Sequence, residues 1–199
     1  MKRLLMLCFC AGLLAAWSTT AMPGGEAHLF LGQKGLDSDW NPVDDQTEYG
    51  INFNFGIGDW PVALAVDILT SEDSGSYYYY GYDADVDGET LELDVGVRKS
   101  FGERKVQPYL GGGIAYIDGE LKIDVPALGP VATLSLSDAA VGLWADVGVM
   151  FQLGERFNLG IDVRYSSADV DFGVPGFGSI EVDAGGTHYG VVAGFRWGE

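Results

Sequence analysis

The sequence predicts an all-β protein, an eight-stranded antiparallel up-and-down transmembrane β-barrel. Three observations predict it. Apolar and polar residues alternate with period two in segment after segment. No run of about 18 apolar residues follows residue 21 to serve as a membrane helix. Long connections alternate with tight, glycine-bearing turns along the whole chain.

The N-terminus is read as an export signal, residues 1–21, ahead of a single barrel domain, residues 22–199. Lys2 and Arg3 form a charged start, Leu4 to Trp17 an apolar stretch, and Ser18-Thr19-Thr20-Ala21 the small residues at which a signal peptidase cuts. Ala27 is a second candidate cleavage site. A retained anchor would need a longer apolar run. Both cysteines, Cys8 and Cys10, lie in this leader, and Leu7 and Phe9 stand where lipidation wants a small residue. The mature chain is therefore expected to carry neither lipid nor cysteine, which excludes a disulfide scaffold and a thiol nucleophile. The formal charge of the whole chain is −18, and loss of Lys2 and Arg3 makes it more negative. That balance argues against nucleic acid as a partner.

The first strand, Ala27 to Lys34, is short and its parity is ambiguous. The second sets Tyr49, Ile51, Phe53, Phe55 and Ile57 against Gly50, Asn52, Asn54 and Gly56. The third sets Val62, Leu64, Val66 and Ile68 against Ala63, Ala65 and Asp67. In the fourth, Leu91, Leu93, Val95 and Val97 oppose Glu92, Asp94, Gly96 and Arg98. The fifth, Val106 to Ile117, is interrupted by Gly111-Gly112-Gly113. The sixth has Val141, Leu143, Ala145, Val147, Val149 and Phe151 on one face, with Gly142, Trp144, Asp146, Gly148, Met150 and Gln152 on the other. The seventh opposes Leu159, Ile161, Val163 and Tyr165 to Gly160, Asp162, Arg164 and Ser166. The last opposes Tyr189, Val191, Ala193, Phe195 and Trp197 to Gly190, Gly194 and Arg196.

Tight turns fall at Gly58-Asp59-Trp60, Gly102-Glu103-Arg104 and Gly154-Glu155-Arg156. Long connections cover 35–46, 70–88, 118–138 and 167–187. All tight turns then share one end of the barrel with the termini, and four acidic loops share the other, the asymmetry of outer-membrane barrels. A soluble sandwich or lipocalin-like barrel would also show eight alternating strands, but its apolar face would point inward. A soluble core could not take Glu92, Asp94, Arg98, Asp146, Asp162, Arg164 and Arg196 together. The charged parity is therefore assigned to the lumen and the apolar parity to lipid. Aromatic residues sort by end as interfacial belts do: Trp60, Phe101, Phe151, Phe157, Phe195 and Trp197 near the tight turns, Tyr49, Tyr116, Tyr165 and Tyr189 near the loops.

Gln107-Pro108-Tyr109-Leu110-Gly111-Gly112-Gly113-Ile114 resembles the proline-tyrosine-glycine strand of OmpA-like small outer-membrane barrels, and Asn158 to Tyr165 resembles a later strand of that family. His188-Tyr189-Gly190 with Phe195 is similar to the terminal strand that the barrel-assembly machinery reads, although Arg196-Trp197-Gly198-Glu199 displaces the final aromatic. The resemblance implies an outer-membrane location and, as in barrel-only members, no peptidoglycan-binding domain after the last strand.

Candidate chemistry is sparse. Inward Arg98, Arg164 and Arg196 are expected to pair with acids from Asp67, Glu92, Asp94, Asp146 and Asp162, plugging the lumen. Asp83, Asp85 and Asp87, followed by Gly88, match the first half of a calcium loop, though position twelve falls on Asp94 in a strand. They are the candidate metal ligands, with a solvated acidic loop as the alternative. Ser76 to Tyr82 carries a tyrosine cluster suited either to a partner or to the membrane interface. Arg164-Tyr165-Ser166-Ser167 resembles the histidine-tyrosine-serine strand of lipid A deacylases, but arginine stands in the base position and cannot accept a serine proton. His28 and His188 have no nucleophile beside them in the sequence. The expectation is a monomeric, non-enzymatic barrel without a cofactor, whose role is structural or in surface interactions. Its partners would be outer-membrane lipids, lipopolysaccharide and divalent cations at the acidic loops. A narrow porin-like channel is the alternative, and a lipid-modifying enzyme a more distant one.

Overall fold

The computed structural model describes residues 24–79, 82–102, 105–124, 133–174, 176 and 178–198. The leader read at 1–21 and Tyr80-Gly81 of the tyrosine cluster lie outside these residues. Among the described residues there are ten strands: β1 (Gly25–Gly35), β2 (Asp45–Gly56), β3 (Ala63–Tyr79), β4 (Tyr82–Ser100), β5 (Val106–Asp124), β6 (Thr133–Gln152), β7 (Phe157–Ser167), β8 (Asp169–Val174), β9 (Gly178–Asp183) and β10 (Gly186–Trp197). Eight of them close a barrel in the order β1-β10-β7-β6-β5-β4-β3-β2, and β8 and β9 form a separate two-stranded sheet. Closure rests on β1 and β10, which pair from Gly25↔Trp197 to Gly35↔Thr187 and leave no open sheet edge in the wall.

The lumen and lipid faces follow the alternation. Val141 and Leu143 are each 69% exposed, whereas Asp67 and Asp94 on the opposite parity are 0% exposed. The ambiguous first strand takes the same pattern: Leu29 and Leu31 face out, and His28, Phe30 and Lys34 face in. Trp60, Phe101, Phe151, Phe157 and Phe195 at one end, and Tyr49, Tyr116, Tyr165 and Tyr189 at the other, are exposed on the outer surface, as belts require. At the tight-turn end Gly58 and Gly102 take φ of +50° and +89°, which only glycine adopts without strain.

The long connections differ from the loops that the sequence suggested. Most of 70–88 is hairpin, because β3 and β4 stay paired from Thr70↔Leu91 to Tyr79↔Tyr82. Likewise β5 and β6 remain paired as far as Asp124↔Thr133. The physical reason is backbone satisfaction: a projecting hairpin closes its own hydrogen bonds, and tyrosine, threonine, valine and isoleucine favour it. Segment 167–187 is not an outward loop either. Its hairpin, β8–β9, buries Ala168, Val170, Phe172, Val182 and Ala184 against Trp40, Ala115, Ile117, Leu136 and Trp144. Trp40, in a short 3-10 turn within 35–46, locks this arrangement by donating its indole N–H to the Asp183 carbonyl at 2.8 Å. The result is an apolar stopper in the mouth at the long-loop end.

Candidate functional site

Inward-facing side chains bring the chemistry together inside the barrel. At its centre Arg98, from β4, donates through Nη2 to Asp67 Oδ2 at 2.7 Å, through Nη1 to Asn54 Oδ1 at 2.8 Å and through Nε to Asp146 Oδ2 at 2.9 Å. Arg164, from β7, donates to the same Asp67 oxygen at 2.5 Å and also to Asp94. Both guanidinium groups lie over the Trp144 ring, at 5.5 and 5.0 Å from its centroid. Four strands thus contribute to one ion cluster, in which each guanidinium meets more than one carboxylate. Buried charge is tolerable on those terms.

The glycines of β5 and β6 make room for this cluster. A Cβ at Gly111 would stand 2.5 Å from Asp146 Oδ1, and one at Gly113 2.9 Å from Trp144 Nε1. Gly148 admits Tyr109, whose hydroxyl donates to Asp162. The interrupting glycines of the fifth strand are therefore what lets large inward side chains fill a narrow barrel.

Above the ion cluster lies a second network. Lys34 Nζ donates to Glu92 Oε2 and Thr90 Oγ1, both at 3.1 Å. Ser166 Oγ lies 3.1 Å from the same Glu92 oxygen and 2.9 Å from His188 Nε2, while His188 Nδ1 meets Glu48 Oε1 at 2.8 Å. Serine, histidine and carboxylate stand here in the order of a nucleophile, its base and the acid that orients the base. Strand register creates the arrangement, because Gly186↔Ser166 and His188↔Arg164 pair β10 with β7. The sequence, read linearly, offers His188 no such neighbour. Ser166 and His188 are fully buried, and the hydroxyl is held between His188 and Glu92. Chemically the group is a hydrogen-bonded bracket across the barrel.

At the tight-turn end Arg196 Nη2 meets Glu26 Oε1 at 2.6 Å and donates to Gln107 at 3.0 Å. A vestibule of about 350 Å³ opens there, lined by Glu26, Asn54, Trp60, Arg98, Arg196 and Trp197. It narrows to about 10 Å³ where His28, Tyr109, Met150 and Val192 close in.

Arg98 and Arg164 take partners from the acids that the sequence nominated. Arg196 does not: its acid is Glu26. Glu92 goes to Lys34 and Asp162 to Tyr109. Lys34 and Glu48 carry no site signal in the sequence, although Glu48 merely extends the polar parity of the second strand, and the sequence does not bring Ser166 and His188 together. Asp83, Asp85 and Asp87 sit at alternate, exposed positions of β4. A strand spaces such side chains about 6.5–7 Å apart along one face, whereas a calcium loop wraps them round a point. Among the described residues no three acidic, histidine or cysteine side chains are grouped to hold a metal.

The family model of the outer membrane protein beta-barrel domain matches residues 4–196. Solved structures with the same architecture include the outer membrane protein OprG of Pseudomonas aeruginosa, with TM-score 0.67 and 15% identity over 90% of this chain and 98% of that one. Ail, the attachment invasion locus protein of Yersinia pestis, gives 0.59 and 14% over 88% and 100%. The N-terminal β-barrel domain of Pseudomonas aeruginosa OprF gives 0.51 and 15% over 89% and 100%. No curated protein matches the sequence.

Proposed function

The chain belongs to the outer membrane protein beta-barrel domain family, and from that premise we propose that it is a closed, non-enzymatic barrel that works through its outer surface, in envelope integrity or surface interactions. It resides in the outer membrane, and residues 1–21 would be its cleaved export leader. One observation carries this reading: beyond the vestibule at the tight-turn end, the lumen is filled from the constriction at His28, Tyr109, Met150 and Val192 through the Arg98–Arg164 cluster to the β8–β9 stopper. A barrel so filled offers solutes no path, which argues against the narrow-channel alternative. Full burial of Ser166 and His188 argues against lipid modification, and lipid extracts from overexpressing cells should show unaltered acylation.

What the protein presents to the exterior is negative. Glu72, Asp83, Asp85 and Asp87 are exposed above the lipid-facing band, and a groove of about 600 Å³ is lined by Glu72, Asp73, Asp87, Glu89 and Glu120 beside Lys122. The Ail structure holds sucrose octasulfate, a heparin analogue and a polyanion. Charge of the opposite sign here favours divalent cations, which would bridge these carboxylates to lipopolysaccharide phosphates.

Two measurements test the proposal. Vesicles carrying the folded protein should take up small sugars no faster than empty vesicles, and faster swelling would refute the closed lumen. Calorimetric titration with calcium should give weak heats that an Asp85→Ala Asp87→Ala variant diminishes. Heats identical in both proteins would remove the cation role.

A further inference from the structure

The narrow end of the vestibule gathers polar atoms that the ion network does not use. His28 is 1% exposed, yet neither ring nitrogen has a hydrogen-bond partner. Directly across β1–β2 stands Asn52, 3% exposed, whose Oδ1 also lacks a partner. Two residues before His28, Glu26 accepts from Arg196 at Oε1 and turns Oε2 to within 3.9 Å of His28 Nε2. All three side chains line the same void of about 10 Å³, roughly one water-sized sphere, which adjoins the 350 Å³ vestibule through shared lining residues Glu26, Asn54, Arg98 and Ser100.

We propose that His28, Glu26 and Asn52 form a binding site for a divalent first-row transition-metal ion entering from the tight-turn end, which is the periplasmic end of an outer-membrane barrel. An imidazole nitrogen with a carboxylate and an amide oxygen suits zinc or copper(II) and disfavours magnesium and calcium, which prefer oxygen alone. Two metal–ligand bonds of about 2.0–2.2 Å span the 3.9 Å between Nε2 and Oε2 at an open angle, so little movement is needed. Beside the site Arg196 is held by Glu26 Oε1, and the buried charge of the lumen as a whole favours a cation. Among the described residues six carboxyl groups are buried (Glu48, Asp67, Glu92, Asp94, Asp146, Asp162) against three cationic side chains (Lys34, Arg98, Arg164). Arg98 borders the void, but its guanidinium is engaged by Asp67, Asp146 and Asn54. Vestibule waters would occupy the remaining coordination positions.

The test uses the untagged, folded barrel titrated with copper(II) and with zinc(II). Apart from weak all-oxygen binding at the acidic loops, one equivalent should bind, and this copper complex should show hyperfine coupling to a single nitrogen by electron paramagnetic resonance. The chain has two histidines, and the variant assigns the nitrogen: His28→Asn should abolish the coupling although His188 and the terminal amine remain. Glu26→Gln, closer to the rim, should keep the nitrogen signal but weaken binding at least about tenfold. Faster mobility of unboiled protein on a denaturing gel shows that each variant is folded. No bound metal, with water alone filling the void, would overturn the proposal. So would a nitrogen signal that survives in folded His28→Asn, or binding that Glu26→Gln leaves unchanged.

Discussion

Replacing Arg164 by methionine removes one cation from the central cluster while keeping most of its volume. Asp94 then loses the one cationic partner it has among the described residues, whereas Asp67 keeps Arg98 at 2.7 Å. Arg164 also stands 5.0 Å from the Trp144 centroid, an interaction worth about 2 kcal/mol when desolvated. Leaving a buried carboxylate unpaired costs about 3–5 kcal/mol, and because the two losses share one geometry the total should stay near that range. Asp94→Asn should offset much of it by removing the stranded charge. The coupling between the two substitutions is therefore expected at about 2–3 kcal/mol. Urea titration of the barrel in lipid vesicles, followed by tryptophan fluorescence, measures all four corners of the cycle. Arg164→Met within about 1 kcal/mol of wild type, or a double variant equal to the sum of the singles, would refute the paired-plug account.

The lipid-facing parity makes Val147, 58% exposed, a sensitive position: Val147→Arg should cost about 2–4 kcal/mol near the bilayer midplane, and unchanged urea stability would contradict the orientation. Gly148→Val places a Cβ 2.3 Å from the Tyr109 hydroxyl and 2.5 Å from the Ile161 carbonyl, so overpacking of about 1–3 kcal/mol and loss of the Tyr109–Asp162 hydrogen bond are expected in the same unfolding assay. Trp40→Ala removes the Asp183 hydrogen bond and the edge contact with Phe172 at 5.6 Å, weakening the stopper by about 3–5 kcal/mol. Hydrogen exchange should then rise in β8–β9 while the wall strands hold, and unchanged exchange in that hairpin would refute its role as a stopper.

The wall of the barrel was legible because period-two alternation is a local signal. From Tyr49 to Ile57, or Leu159 to Ser166, each residue announces its face by type, and a single-residue slip would put charges into lipid. Even the glycine interruption at Gly111-Gly112-Gly113 belonged to the pattern once inward neighbours needed its space. The stopper was not legible, since Val170, Phe172, Val182 and Trp40 gain meaning only when 35–46 and 167–187 meet over the lumen. Partner choice was half legible: polar parity shows that Arg98, Arg164 and Arg196 turn inward, but register and stagger decide which acid each one reaches. Ser166 and His188, or His28 and Asn52, are neighbours across strands, and linear spacing carries no trace of that.

Single-channel recording in planar bilayers tests the closed lumen most directly. A closed lumen leaves the membrane silent when the wild-type barrel inserts, with no discrete conductance steps at any applied potential that the bilayer tolerates. Regular, uniform steps from protein purified free of porins would contradict it.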